Sequence, residues 1–195
     1  MKKGYTHICI VLDASGSMEC IANDVRGSFN TFLKRQRGAG GKTVFDLFQF
    51  SDTVKRIVNA ADLSGFEEDL MAGYECGGCT ALNDAVCIAI DTIGREFAAM
   101  AEEERPEHVL FAIITDGEEN ASREYTAEDV KKRIEHQKSV YSWEFDFLAA
   151  NQDAFETGSA MGLDRDQCAD FCQDAAGAAC IAERLCCRAD AVRGR

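Results

Sequence analysis

His7-Ile8-Cys9-Ile10-Val11-Leu12-Asp13-Ala14-Ser15-Gly16-Ser17 is an apolar run that breaks into an acidic, hydroxyl-bearing turn. The run is near-continuous in hydrophobicity, as a central strand covered on both faces has to be. Its end carries the chemistry. In open α/β sheets ligands gather outside the carboxyl ends of the strands, so oxygen side chains there can meet others far away in sequence. Two further segments supply them. Residues 109–114 are a second apolar run closing on Thr115-Asp116-Gly117, and Thr80 follows the loop Gly77-Gly78-Cys79 at the head of a long helical pattern.

Outward from the first strand, the chain alternates strand and helix, which predicts helices on both faces of a mostly parallel sheet in an α/β fold. Ile21, Val25, Phe29, Phe32 and Leu33 recur at helical spacing until Gly38-Ala39-Gly40-Gly41 interrupts them. Residues 43–50 and 53–58 read as strands joined by the tight Ser51-Asp52 connection, hence antiparallel neighbours, and Lys55 and Arg56 suit a sheet edge. A short helix is expected over residues 67–72. Leu82, Ala85, Val86, Ala89, Ile93, Phe97 and Met100 then mark one face of a helix with Thr80 as its N-cap. Strands are predicted over residues 107–115, 143–150 and 168–171. Helices are predicted after Thr126, where Asp129 completes a capping box, over residues 153–161, and over residues 174–190. Residues 1–170 are read as the domain and 171–195 as a C-terminal helical extension packed on it.

Asp13, Ser15, Ser17, Thr80 and Asp116 offer hard oxygen donors, a set suited to Mg²⁺ or Mn²⁺ rather than to a thiophilic metal. In a tight turn, alternate residues Asp13, Ser15 and Ser17 can point to one centre. An isolated Asp-x-Ser-x-Ser equally well makes a helix N-cap; the recurrence of donors at Thr80 and Asp116, each at a suitable strand end, favours the metal. If the hydroxyls bind directly and the aspartates act partly through water, the ion keeps much of its charge and attracts a further anion.

The motifs Asp13-Ala-Ser-Gly-Ser17-Met18, Gly77-Gly-Cys-Thr80-Ala-Leu and Ile114-Thr-Asp116-Gly117, in that order, resemble the von Willebrand factor A (VWA) domain and its metal-ion-dependent adhesion site (MIDAS). The resemblance covers about residues 5–160. It implies a doubly wound, Rossmann-like, mostly parallel six-stranded sheet with one antiparallel edge strand. It also implies Asp13, Ser15, Ser17, Thr80 and Asp116 as the metal set, a Mg²⁺ cofactor that Mn²⁺ or Ca²⁺ can replace, and binding of a protein partner that presents an Asp or Glu to the ion. A terminal helix that shifts when the site is occupied is a further expectation of the family. Cys79, just before Thr80, departs from the small residue common there. The single-domain build is similar to bacterial or phage-encoded members.

Composition narrows the remaining classes. With 34 acidic and 21 basic residues the formal charge is −13, which repels a phosphate backbone and argues against nucleic acid as a partner. No run approaches the roughly 18 apolar residues of a membrane span, and the stretch after Lys2 and Lys3 is too short for a signal-peptide core. A cytoplasmic monomer is expected. The ten cysteines then read as thiols, most of them packing, with Cys9 and Cys87 on apolar faces.

Three other signals are weak. Gly38-Ala-Gly-Gly41-Lys42-Thr43 resembles the end of a phosphate loop, but Gln36 stands where the first glycine belongs and a strand follows instead of a helix. Cys76-x-x-Cys79 is half a zinc site, to be completed by Cys168, Cys172, Cys180, Cys186 or Cys187, whose spacing is irregular. His7, His108 and His136 are scattered. Glu118, Glu119 and Asn120 are expected at the rim of the site, and Asn151-Gln152-Asp153 as a turn and helix cap. The expected function is therefore a metal-dependent, non-enzymatic protein interaction module. The alternatives are a metal-assisted hydrolase, which lacks a general base, and a zinc or thiol protein.

Overall fold

The computed structural model describes residues 1–65 and 69–194. Strands and helices come in the order β1 (Lys2–Asp13), α1 (Ala22–Arg37), β2 (Lys42–Phe50), β3 (Val54–Asp62), α2 (Leu82–Ala99), β4 (Pro106–Thr115), α3 (Ala127–Tyr141), β5 (Glu144–Ala149), α4 (Ala154–Ala160), β6 (Cys168–Asp170) and α5 (Ala175–Arg193). A 3-10 turn over Gly16–Ile21 joins β1 to α1. The strands form one six-stranded sheet in the order β3-β2-β1-β4-β5-β6. Only the edge strand β3 runs antiparallel to its neighbour, so the expected doubly wound α/β architecture with one antiparallel edge is what the chain adopts. The winding reverses between β1 and β4, which lie side by side with Leu12 opposite Ile114. That reversal is the switch point at which such sheets hold ligands.

Two cores sandwich the sheet, and strand alternation assigns residues to each. Ile8, Ile10 and Leu12 of β1 face α1 and α5, meeting Phe29, Phe32, Ile181 and Leu185. Cys9 and Val11 face the opposite way, with Ile90 of α2, Val130 and Ile134 of α3, and Phe111 and Phe145. Cys9 and Cys87 are both buried in this second core. Phe97, Phe111, Trp143 and Phe145 form a contiguous aromatic cluster there, with successive centroids 5.2 to 6.3 Å apart. Helix α5 is fixed by polar contacts as well as by apolar ones. Arg184 donates twice to the fully buried Asp146 of β5, at 2.8 and 2.7 Å, and Arg188 lies 3.5 Å from the same carboxylate.

Several boundaries differ from the sequence reading. Strand β1 begins at Lys2, which pairs with Pro106 of β4 and donates its N–H to Arg105 O at 2.7 Å. Strand β3 continues past Val58 to Asp62. It does so through a residue at φ 45°, Ala60, whose N–H donates to the buried Asp46 side chain at 3.1 Å; a side-chain acceptor bridges the irregularity where the ladder fails. Of the helix expected over 67–72, residues 67 and 68 lie outside the described residues. Residues 70–73 form a turn instead, in which Met71 N–H donates to Asp69 Oδ1 at 2.9 Å. The capping box of Thr126 and Asp129 forms as expected. Asp174 caps α5, which runs on to Arg193. Among the described residues no helix is long and apolar enough to cross a membrane.

Candidate metal centre

Asp13 is the last residue of β1 and is fully buried. One carboxylate oxygen accepts the Ser15 N–H at 2.7 Å, which curls the chain back on itself, and the other accepts the Thr115 hydroxyl at 2.6 Å. Tyr74, buried beneath, donates its hydroxyl to the Asp13 carbonyl at 2.6 Å. Ser15 stands at the N-cap position of the next turn, yet its side chain makes no capping hydrogen bond. Its hydroxyl instead lies 3.1 Å from that of Ser17, so the N-cap reading of the motif does not describe what the serines do.

Thr80 corrects another expectation, for it is not the N-cap of α2. The helix starts at Leu82 after Ala81, with no side-chain cap, and its free N–H groups are taken by the loop after β4. Asn83 N–H donates to Glu119 Oε2 at 2.8 Å and Asp84 N–H to Ser122 Oγ at 3.0 Å, while Thr80 N–H donates to Asn120 Oδ1 at 2.9 Å. These distant acceptors satisfy the orphan donors of the helix end and leave the Thr80 hydroxyl free for other use. They also give Glu119, expected at the rim, a structural task. Its carboxylate accepts from Asn83, Ala121 and Ser122, tying the loop after β4 to the start of α2.

Asp116 closes the set. Its Oδ1 accepts from Ser17 Oγ at 2.7 Å and lies 3.5 Å from Ser15 Oγ. Backbone bonds interlock the loops: Gly77 N–H to Ala14 O at 2.7 Å, Gly16 N–H to Gly78 O at 3.1 Å, and Asn120 N–H to Thr80 O at 3.0 Å. The closeness shows at Gly117, where a Cβ would stand 3.3 Å from Thr80 Oγ1, a tight contact. Asp13, Ser15, Ser17, Thr80 and Asp116 therefore converge on one place at the carboxyl end of β1 and β4. Ser17 is exposed and the other four are buried, so the cluster opens to solvent on the Ser17 side.

Two members of the cluster carry charge that no cationic side chain of the described residues balances. Among the described residues neither Asp13 nor Asp116 has an ion-pair partner, although their exposures are only 0 % and 2 %. Burial pushes the Asp13 carboxyl above its usual range, against the hydrogen bonds from Thr115 and Ser15, and the charge of Asp116 adds to the rise. Burial likewise raises Asp116. Buried carboxylates are ordinarily paired with a cation or ligate one. Their counterparts elsewhere in the sheet obey this rule within the chain: Asp46 has His7 and Arg56, and Asp146 has Arg184. Two unpaired carboxylates beside three hydroxyls, with no thiol or imidazole among them, fit a hard divalent ion.

Residues beyond the motif complete the site, and sequence reasoning misses them. Asn151 and Gln152 are expected to form a turn; Asp153 does cap α4, but Asn151 Nδ2 donates to Asp116 O at 3.2 Å and Gln152 Nε2 to Gly117 O at 2.9 Å. Gln173, between β6 and α5, donates its amide to Ser17 O at 2.7 Å and to Asp116 Oδ2. Thr115 could have been inferred from its place before Asp116 at a strand end. Gln173 carries no sequence signal, being 57 residues away. The zinc reading finds no support: among the described residues no three His, Cys, Asp or Glu side chains gather as a metal site. His7 is committed to Asp46 at 2.8 Å, deep in the sheet.

Comparison with known proteins agrees with this fold. The family model described as the von Willebrand factor type A domain matches residues 7–157. No curated protein matches the sequence. Among solved structures, the chain is similar to the PilB minor pilin of Streptococcus sanguinis, with TM-score 0.70, 11 % identity, and coverage of 97 % of this chain and 62 % of that one. It is similar to a von Willebrand factor type A protein of Catenulispora acidiphila, with TM-score 0.61, 14 % identity, and coverage of 95 % and 42 %. It is also similar to proximal thread matrix protein 1 of the mussel byssus, in a structure whose MIDAS motif holds zinc, with TM-score 0.67, 14 % identity, and coverage of 95 % and 48 %. The chain thus spans less than two thirds of the length of each of these neighbours, and at such identities the likeness is one of fold.

Proposed function

Because the chain belongs to the von Willebrand factor type A family, we propose that it is a protein interaction module whose binding face is a divalent cation held by Asp13, Ser15, Ser17, Thr80 and Asp116. The observation that carries the proposal is the pair of buried carboxylates, Asp13 and Asp116, that no cationic side chain of the described residues neutralises. A bound Mg²⁺, or Mn²⁺ or Ca²⁺ in its stead, would supply the missing positive charge and, at the open side by Ser17, an electrophilic position for an outside oxygen. The chain's own donors leave that position attractive to an anion, since hydroxyls outnumber carboxylates. An Asp or Glu of a partner protein would make a charge-assisted contact there, stronger than a surface ion pair.

Binding is favoured over hydrolysis by what surrounds the cluster. Both oxygens of Asp13 already accept hydrogen bonds, from Ser15 and Thr115, and Asp116 is shared by Ser17 and Gln173. Neither is placed to take a proton from water, and His7 is occupied by Asp46. Cytoplasmic residence and a monomeric state are part of the same proposal. The test is a Mg²⁺ titration by calorimetry of the wild type and of Asp13→Ala and Asp116→Ala, followed by capture of protein partners with and without chelator. We expect saturable Mg²⁺ binding and metal-dependent capture that both variants lose. Absence of any Mg²⁺ binding by the wild type at millimolar concentration would overturn the metal reading, and steady turnover of phosphoesters would overturn the binding one.

A further inference from the structure

The side chain of Gln173 meets the candidate centre from outside the motif, and the way it is presented is unusually constrained. It occupies the short connection between β6 and α5. Phe171 N–H is fixed to Ala149 O at 2.9 Å, Asp174 N–H to Cys172 O at 2.9 Å, and Gly177 N–H to Asp174 Oδ1 at 2.8 Å. A Cβ at Gly177 would collide with the Cys172 backbone, so the turn is packed tightly against itself. From it the Gln173 amide spans two loops of the centre. Its nitrogen donates to the Ser17 carbonyl at 2.7 Å and to Asp116 Oδ2, and its oxygen accepts from Asn151 Nδ2 at 3.1 Å. Asn151 in turn holds the Asp116 carbonyl.

The two oxygens of Asp116 are thereby given different tasks. Oδ1 faces the Ser15 and Ser17 hydroxyls, on the side where the other donors converge, while Oδ2 is turned to Gln173. Outer partners of this kind orient ligating carboxylates and commonly change metal affinity by about 10- to 100-fold when removed. We infer that Gln173 is a positioning residue of the metal centre, one that sets the Asp116 carboxylate and, through it, the affinity of the site for its ion. The inference rests on the metal reading proposed above and extends it to a segment outside the matched family region of residues 7–157. Coupling of this sort is reciprocal: if the order of the Gln173 connection strengthens the site, metal at the site must strengthen the order of the connection.

The experiment uses the whole chain, with Mg²⁺ as probe, and compares wild type, Gln173→Met, Asn151→Gly and Asp116→Ala. Met keeps the length of Gln without its hydrogen bonds, and Gly suits Asn151, whose φ is 57°. Expected are a Kd about tenfold weaker for Gln173→Met, about threefold weaker for Asn151→Gly, and no binding for Asp116→Ala. Amide exchange of residues 173–177 should slow on addition of Mg²⁺ in the wild type and not in Gln173→Met, a response that a merely structural role would not give. Unchanged affinity in a folded Gln173→Met would overturn the inference while leaving the metal site standing. Tighter binding would overturn it too, because the amide would then be a competitor of the ion. Should Gln173→Met fail to fold, Asn151→Gly decides by the same criteria. Failure of the wild type to bind Mg²⁺ would instead defeat the underlying site reading.

Discussion

Replacing Thr115 by Val removes one hydroxyl from the molecule and little else. The residue is fully buried at the end of β4, and Val matches Thr in shape and in preference for extended backbone. What is lost is the 2.6 Å bond to Asp13 Oδ2, together with the contact between Thr115 Oγ1 and the Gly117 N–H at 3.2 Å. Hydrogen bonds to charged groups contribute about 1.5–3 kcal/mol, and a buried carboxylate that loses its donor keeps its desolvation cost. A destabilisation of about 2 kcal/mol is therefore expected in chelator. For a domain of this size that is a fall in Tm of roughly 4–8 °C, or about 1 M in urea midpoint if m is about 2 kcal/mol/M. Mg²⁺ should stabilise wild type and variant alike by mass action and should not close the gap between them, because it binds the native state of both and the variant has lost a group that orients Asp13. At free Mg²⁺ about tenfold above Kd, binding to the native state adds about 1.4 kcal/mol. Urea unfolding monitored by Trp143 fluorescence, with chelator and with Mg²⁺, measures both quantities. A midpoint within experimental error of wild type in chelator would show that Thr115 does not support the Asp13 charge, and the electrostatic account of the site would fail with it.

Three further outcomes are expected. Hydrogen bonds and charge from His7 and Arg56 hold Asp46 below the usual carboxylate range in spite of its burial. Its contribution is therefore complete above the unfolded value of about 3.9 and lost as pH falls through the folded one; the stability gap between wild type and Asp46→Asn should hold at neutral pH and narrow as pH falls below about 4, and a constant gap refutes the assignment. Arg184→Ala strands a buried carboxylate that Arg188 reaches only at 3.5 Å and should cost about 3 kcal/mol, whereas the double change Asp146→Leu with Arg184→Met should restore most of it; equilibrium denaturation of both decides. In a thiol titration of the native protein, Cys20, Cys79, Cys172, Cys180 and Cys187 are exposed and should react first, while Cys9, Cys87 and Cys186 are buried and should wait for unfolding. Burial raises the Cys87 thiol to about 12, so rapid labelling there would contradict the packing described.

How much of this is readable beforehand depends on the range of the interaction involved. The alternation of apolar runs of two periods is a local property, and it yields the strands, the helices and the α/β class. Asp-x-Ser-x-Ser after a strand, Thr80 at a loop end and Asp116 before a glycine are visible for the same reason. The misreadings share a cause. Thr80 resembles a helix cap because its neighbours in sequence permit it, but the loop of residues 119–122 takes that task from across the fold. That Glu119 holds Asn83, Ala121 and Ser122 is likewise invisible in the local sequence.

By itself, then, the sequence determined the fold class, the order of elements and the candidate donors, because hydrophobic periodicity and turn chemistry act between residues a few positions apart. Tertiary structure decided which donors remain free to bind, that Asp13 and Asp116 lack a cationic partner among the described residues while Asp46 and Asp146 have theirs, and that Gln173 reaches back over 57 residues to hold Asp116. Those facts depend on burial and on which side chains meet across the switch point between β1 and β4, and neither is written in any local pattern.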